Sequence, residues 1–258
     1  MSNNEADRKK KDTRPPELSC TELELGYDGK ALVSHLNFEV RHGDYLCIVG
    51  ENGAGKSTLM RTILGLQKPM SGEVRYGDGL SSRMIGYLPQ QTEVQRDFPA
   101  SVREIVLSGF QARLGRRFFY SAAERAAALD NMRLMGIESL ADESFSTLSG
   151  GQKQRVMLAR AVSASRRMLL LDEPVAGLDP AASEDMYRLI SNLNKERTTI
   201  VMISHDVAAC LSYASHILHV GKELFFGTVA DYHRNRVGKP HYLGEEKTKS
   251  AIRLHHPM

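Results

Sequence analysis

Residues 50–58 read Gly-Glu-Asn-Gly-Ala-Gly-Lys-Ser-Thr, which fits the phosphate-binding pattern G-x-x-x-x-G-K-[ST]. Residues 45–49 before the loop predict a short buried strand, and residues 58–64 after it predict an amphipathic helix. The glycines allow backbone N–H groups to turn toward phosphate oxygens without a side-chain clash. The helix N-terminus adds a partial positive charge. This order of strand, loop and helix predicts a binding site for the phosphates of a nucleotide.

Two side chains at the end of the loop carry the expected chemistry. Lys56 can reach the β- and γ-phosphates, and the Ser57 hydroxyl can ligate Mg²⁺. A nucleotide with β- and γ-phosphates and Mg²⁺ are therefore the expected ligands. The residues expected to bind this nucleotide are Gly50, Glu51, Asn52, Gly53, Ala54, Gly55, Lys56, Ser57 and Thr58.

Composition limits what else the chain can be. At 258 residues it forms one large domain or two small ones. A net charge of +3 is too small to indicate a nucleic-acid partner, and three widely spaced cysteines suit a reducing compartment. No apolar run approaches the roughly 20 residues of a membrane helix, and the polar residues 1–16 do not resemble a signal peptide. We expect a cytosolic chain that reaches a membrane only through a partner.

The pattern of elements predicts an α/β protein with two additions. Residues 18–40 alternate like antiparallel strands around the hairpin signal Asp28-Gly29, and residues 71–77 extend that sheet. Ser101 and Ser121 each begin a capping box, and Gly136 is placed to end the second helix. After this, strands and helices alternate again. The predicted fold class is a P-loop NTPase (RecA-like) core with an antiparallel β subdomain and a small helical insert at about residues 98–147.

Both ends of the chain are predicted to lie outside the folded domain. Residues 1–17 are predicted to be disordered, although their basic cluster at 8–11 leaves binding to acidic lipid as an alternative. Residues 18–236 form one nucleotide-binding domain, and residues 237–258 form a loose tail. Histidines in the C-terminal part are irregularly spaced, so we interpret them as surface residues rather than metal ligands; they are His233, His241, His255 and His256.

A second glycine-rich helix start follows the helical insert. Residues 148–152 read Leu-Ser-Gly-Gly-Gln, and Ser149 is placed as the N-cap. Its free N–H groups predict another anion site. One nucleotide does not need two such sites from one chain, so a head-to-tail dimer could use the spare site. The alternative is a glycine-rich helix start of purely local purpose.

An acidic pair ends the apolar strand predicted at residues 168–171. Asp172 is placed to hold Mg²⁺, and Glu173, one residue further, is placed to act as a general base on an attacking water. The alternative is a solvated acidic turn at a strand end.

Together these stretches resemble the nucleotide-binding subunits of ABC transporters. Residues 50–58 resemble Walker A, residues 148–152 resemble the LSGGQ signature, and the strand ending at Asp172-Glu173 resembles Walker B. The resemblance covers about residues 18–232. One departure is Ala176 in the segment that resembles the D-loop, where many members have Ser.

The resemblance implies roles for individual residues. Glu173, His205 and Gln90 would be catalytic. Gln90 resembles the glutamine of the Q-loop, and the adjacent Gln91 is the alternative for that position. Ser57, Asp172 and Gln90 would hold Mg²⁺. Tyr27 would stack on adenine, and Asp179 belongs to the D-loop. Two copies would form an ATP sandwich, each closed over the other's ATP by residues of the signature: Leu148, Ser149, Gly150, Gly151 and Gln152.

Subfamily features suggest the transported substrate. Residues 98–106 and 174–179 look most like ATPases of zinc and manganese importers. That likeness implies a separate membrane permease docked near residues 91–110, an extracytoplasmic metal-binding protein, and a peripheral location on the cytoplasmic face of the membrane. Importers of cobalamin, ferric siderophores or another small solute are the first alternative. A soluble ABC ATPase is less favoured, and a P-loop kinase or GTPase leaves residues 148–152 unexplained.

Overall fold

The computed structural model describes residues 15–235, apart from residues 28, 78, 91–98 and 222. Several predictions fall outside the described residues. These are the disorder of residues 1–14 and 237–258, the rival glutamine Gln91, the start of the permease-docking segment, and the three histidines His241, His255 and His256.

Within the described part of the chain, the strands are β1 Pro16–Tyr27, β2 Lys30–Arg41, β3 Tyr45–Val49, β4 Ser71–Tyr76, β5 Gly86–Leu88, β6 Met168–Asp172, β7 Thr199–Ile203, β8 His216–His219 and β9 Phe225–Thr228. The α-helices there are α1 Lys56–Ile63, α2 Val102–Ser108, α3 Ala122–Leu134, α4 Gly150–Ala164, α5 Pro180–Lys195, α6 Val207–Tyr213 and α7 Val229–Arg234.

Strands β2, β1 and β4 form a three-stranded antiparallel sheet in that order, as predicted. Tyr27 pairs with Lys30 across the predicted two-residue turn. One boundary was wrong, because β1 begins at Pro16 rather than at residue 18. Glu17 is 4% exposed, and its carboxylate accepts hydrogen bonds from Arg167 Nε at 2.6 Å and Thr199 Oγ1 at 2.6 Å. These contacts draw the end of the predicted tail into the fold.

The second sheet has six strands in the order β5-β6-β7-β3-β8-β9. Its first five strands are parallel, and β9 closes the edge as the antiparallel hairpin predicted around Gly221. Strands β3, β6 and β7 are buried along their whole length, since elements cover both faces of the sheet. The carboxyl ends of the parallel strands meet at one edge, where open α/β sheets place their ligands.

Alternate residues of the central strands divide the core into two clusters. Cys47 and Val49 face the cluster that includes α2 to α6, whereas Leu46 and Ile48 face the one formed with α1 and the antiparallel sheet. The period of two in side-chain direction produces this division. The phosphate loop therefore leaves a strand that is anchored on both faces.

The helical insert is built as its capping signals predict. Ser101 with Glu104 and Ser121 with Glu124 form complete capping boxes at the starts of α2 and α3. Gly136 has φ +66° and directly follows Met135, the C-cap residue of α3. Helix α4 packs against α2, α3 and β5, and so joins the insert to the central sheet.

Across the described residues, no helix combines the length and the apolar composition that crossing a membrane requires.

Candidate active site

The loop between β3 and α1 is shaped by glycines that cannot be replaced without strain. Gly50 has φ +147°, and a Cβ on it would lie 1.9 Å from the carbonyl oxygen of Val220. Gly55 caps α1 with φ +97°, and its Cβ would lie 2.9 Å from Val33. Because L-residues with a side chain avoid positive φ, the backbone of the loop requires glycine at these two positions. The resulting turn leads directly into the N-terminus of α1, at Lys56.

Lys56 is 6% exposed and lies against its own loop. Its ammonium nitrogen donates to the carbonyl oxygens of Gly50 and Glu51, at 2.8 Å each. Burial lowers the pKa of Lys56, and the charges of Glu173 and Asp172 oppose that shift. An ammonium has three donors, so these two bonds leave one for an anion above the loop.

Three polar side chains meet where neighbouring strands end. Gln90 follows β5, Glu173 follows β6 and His205 follows β7, and these strands are adjacent in the sheet. Gln90 Nε2 donates to Glu173 Oε2 at 3.0 Å, while His205 Nε2 lies 2.6 Å from Glu173 Oε1. Both oxygens of one carboxylate are thus held by groups from its two neighbouring strands.

The backbone of Glu173 explains how its side chain reaches this position. Glu173 has φ +50°, a left-handed conformation that is uncommon for a non-glycine residue. Its N–H donates to the carbonyl oxygen of Ile203 at 3.1 Å, which fixes the residue after the strand. Such conformations cost of order 1–3 kcal/mol and cluster at functional sites. The sequence predicts the role of Glu173, but it gives no signal for this strain.

Asp172 has the properties of a cation ligand. It is 6% exposed, and its Oδ1 is buried without a hydrogen-bond partner among the described residues. Burial and the neighbouring charge of Glu173 raise the pKa of Asp172. A buried carboxylate oxygen without a donor is costly unless a cation neutralises it. With the oxygens of Ser57 and Gln90, Asp172 offers the oxygen ligands that Mg²⁺ prefers, so the residues fit the ion.

A cleft of about 470 Å³ opens above the loop and contains most of the predicted ATP-binding residues. Tyr27 stands at its side, with its hydroxyl 2.8 Å from Thr58 Oγ1. Leu32 also lines the cleft, and the sequence analysis missed it. Leu32 is 47% exposed, and because single exposed leucines are common, no signal in the sequence indicates it. The lining consists of Tyr27, Leu32, Asn52, Gly53, Gly55, Lys56, Ser57, Thr58, Gln90, Glu173 and His205.

The second glycine-rich helix start lies apart from this cleft. Ser149 caps α4 as predicted, and Gln152 completes a capping box that the sequence analysis did not identify: Ser149 N donates to Gln152 Oε1 at 2.9 Å. Asp179 caps α5 by accepting from Ala182 N at 3.0 Å. Among the described residues that line the cleft, none belongs to the range 148–152, and Asp179 is absent as well.

The fold and this site define a P-loop nucleoside triphosphatase. Its phosphate loop follows β3, and the buried Asp172 and the hydrogen-bonded carboxylate of Glu173 lie at the end of β6, at the same edge of the sheet. Residues 33–176 match the family model described as ABC transporter. The chain belongs to this family as an ATP-binding subunit, an ATPase coupled to transport.

The similarity to related proteins extends over most of the chain. The "Probable metal transport system ATP-binding protein" of Chlamydia muridarum is 38% identical over 209 residues, which is 80% of this chain and 88% of the relative. The zinc import ATP-binding protein ZnuC of Marinobacter nauticus is 36% identical, covering 79% and 74% of the two chains. The manganese transport system ATP-binding protein MntB of Bacillus subtilis is 35% identical, covering 78% and 82%.

A solved structure agrees with the fold. A chain assigned to a metal-chelate type ABC transporter, in an inward-facing conformation, superimposes with a TM-score of 0.76 at 29% identity. The match covers 84% of this chain and 85% of that chain. The predicted fold class is confirmed.

Proposed function

We propose that this subunit energises the uptake of a divalent metal ion, zinc or manganese, through a separate membrane permease. Relatives named for zinc import and for manganese transport support the choice of substrate. ABC ATPases do not contact the transported solute within a cleft of this kind, so the choice of ion depends on these relatives. The observation that carries the enzymatic part is the Glu173 carboxylate, held by Gln90 and His205 beside the phosphate loop.

ATP would lie with its phosphates over the loop and its base beside Tyr27 and Leu32. Lys56 and the N-terminus of α1 would bind the β- and γ-phosphates. Mg²⁺ would be held by Ser57, Asp172 and Gln90, and its contribution when bound is to neutralise charge on the phosphate oxygens.

Glu173 would perform the proton transfer. Its carboxylate would accept a proton from the attacking water, and the hydrogen bonds at its two oxygens fix its direction. His205 would contact the γ-phosphate from the end of β7. Because Gln90 touches Glu173 and precedes the segment expected to approach the permease, it would connect hydrolysis with transport.

Two copies would form the active unit. The signature residues 148–152 lie outside their own chain's cleft, and the start of α4 presents free N–H groups, so they would close over the ATP of a second copy. The D-loop at Asp179 begins α5 beside the same helix start. A permease and an extracytoplasmic metal-binding protein would complete the system, with this subunit on the cytoplasmic face of the membrane.

Gene deletion tests the substrate. We expect the deletion strain to grow poorly under metal chelation and to recover with added Zn²⁺ or Mn²⁺. Uptake of the radioactive ion should fall, and a plasmid copy should restore it. A plasmid copy that carries Glu173→Gln and is expressed to the same level should not restore uptake. Normal metal uptake together with defective uptake of cobalamin or a siderophore would overturn the metal assignment.

A further inference from the structure

The turn that carries His205 connects β7 to α6. The His205 side chain is 46% exposed, and among the described residues its ring bonds to Glu173, with Nε2 and Oε1 2.6 Å apart. A half-exposed ring with one such contact depends on its backbone for its position. We propose that the Tyr187 hydroxyl positions His205 for hydrolysis by fixing the residue before it, Ser204. The inference rests on the proposed function, in which His205 contacts the γ-phosphate.

Ser204 is the centre of the contacts that shape this turn. It is 2% exposed, and its backbone N–H donates to the carbonyl oxygen of Ile48 at 3.2 Å. Its Oγ accepts from the backbone N–H of Asp206 at 3.1 Å. The Asp206 carboxylate in turn caps α6 by accepting from Ala209 N at 2.9 Å. The two neighbours of His205 in the chain are therefore tied to each other, to β3 and to α6.

Tyr187 joins the same turn to α5. Its hydroxyl oxygen lies 3.2 Å from Ser204 Oγ, and either hydroxyl can donate. The Tyr187 ring stacks on the ring of Tyr213 from α6, with centroids 5.5 Å apart and 15° between the planes. Burial raises the pKa of Tyr187, so its hydroxyl stays protonated at neutral pH. Packing thus holds a neutral hydroxyl against the serine that precedes His205.

The place of Tyr187 in the fold separates it from the nucleotide. Helix α5 is anchored in the core by its buried residues Met186, Tyr187, Ile190 and Leu193. Among the described residues that line the cleft, Tyr187 is absent. A buried polar network with its members satisfied makes side-chain positions rigid. Loss of the Tyr187 hydroxyl should therefore change the rate of hydrolysis and leave the binding of ATP intact.

Tyr187→Phe in the full chain tests the inference, because it removes the hydroxyl and keeps the stacked ring. We expect kcat to fall about tenfold, since a misplacement of about 1 Å can cost as much as roughly 10²-fold. KM and the affinity in an ATP titration should match the parent. Tyr213→Phe is the matched control and should keep the parental kcat. It removes the hydroxyl of the other stacked ring, which hydrogen-bonds to no described residue.

A double-mutant cycle shows whether Tyr187 acts through His205. His205→Ala should slow hydrolysis, and Tyr187→Phe added to it should cause no further loss, because the group to be positioned is absent. Ser204→Ala removes the other end of the same contact and should reproduce the effect of Tyr187→Phe. A residue that only stabilises the core would lower the rate by the same factor with or without His205.

NMR of the chain labelled with ¹³C-histidine measures the position of His205 without hydrolysis. The ring signal of His205 is identified by its loss in His205→Ala. It should shift in Tyr187→Phe and in Ser204→Ala, and it should keep its parental position in Tyr213→Phe. The ring signals of His216 and His219 should stay unchanged in all of these variants.

Three outcomes contradict the positioning role. They are an unshifted His205 signal in Tyr187→Phe, an equal loss of rate with and without His205, and a parental kcat in Tyr187→Phe while His205→Ala is slow. A parental rate in His205→Ala counts against the proposed function instead. In that case a shifted His205 signal in Tyr187→Phe still supports the contact through Ser204.

Discussion

Single backbone conformations determine much of this site. Gly50 at φ +147° brings its Cα against the Val220 carbonyl, and Glu173 at φ +50° turns its carboxylate between Gln90 and His205. Gly50 avoids strain by lacking a side chain, whereas Glu173, the proposed general base, retains strain. Substitutions at the two residues should therefore fail in different ways.

Gly50→Ala should destabilise the fold and abolish ATP binding. Its Cβ would lie 1.9 Å from a backbone oxygen, so the loop or β8 must shift, at about 3 kcal/mol. Gly53→Ala is the matched control, because Gly53 has φ +79° but no atom within 4 Å of the added Cβ. It should cost only about 1–2 kcal/mol, for the left-handed conformation. Denaturant unfolding and ATP titration measure both effects, and equal losses would contradict the steric explanation.

Glu173→Gln should bind ATP normally and hydrolyse it about 10²–10⁴-fold more slowly. The amide keeps the shape of the side chain but cannot accept a proton from water. Glu184→Gln removes an exposed carboxylate from α5 and should leave the rate unchanged. Single-turnover hydrolysis with Mg-ATP provides the comparison. A parental rate in Glu173→Gln would show that another group is the base.

Helix starts are the elements that the sequence specifies most completely. The capping boxes at Ser101 and Ser121 depend on residues three apart, and both are confirmed. The strand before the phosphate loop and the acidic pair ending β6 are equally local, and both lie as predicted. In contrast, the Glu17 carboxylate binds Thr199, 182 residues away, and Leu32 reaches the cleft only because the antiparallel sheet packs beside the loop. Contacts of that kind depend on tertiary packing, which local patterns do not encode.

Ser149→Arg should leave ATP binding by the dilute monomer nearly intact but abolish hydrolysis. A bulky cation at the start of α4 would obstruct closure over the partner's γ-phosphate. The substitution also removes an N-cap, which costs about 1 kcal/mol. Ser121→Arg removes the equivalent cap of α3, away from the signature, and should retain hydrolysis. ATPase assays and nucleotide titrations on both variants separate the two effects, and equal inhibition would mean that capping alone explains the loss.

At the scale of the whole molecule, the cleft and the signature residues 148–152 lie apart within one chain, and we propose that they are the two halves of one ATP site. The cleft lies at the carboxyl edge of the central sheet. The signature lies at the start of α4, the helix that joins this sheet to the helical insert. In the proposed twofold dimer, each half-site would lie against the complementary half of the other copy. Blocking hydrolysis should make that association lasting, so Glu173→Gln with Mg-ATP should elute as a dimer in size-exclusion chromatography, and as a monomer without nucleotide.

Mixing two inactive variants tests whether the half-sites work between chains. Lys56→Ala lacks the phosphate-binding cation but retains its signature, and Ser149→Arg retains its phosphate loop but lacks a working signature. Each alone should be inactive. An equal mixture should form mixed dimers in which the loop of one variant faces the signature of the other, so one of their two sites is intact. With random pairing, activity should recover to roughly a quarter of the parental value. Adding Ser149→Arg to the Lys56→Ala chain supplies the control, because that double variant mixed with Ser149→Arg has no intact pairing. If the first mixture stays as inactive as its components, the signature acts within its own chain and the sandwich dimer is wrong.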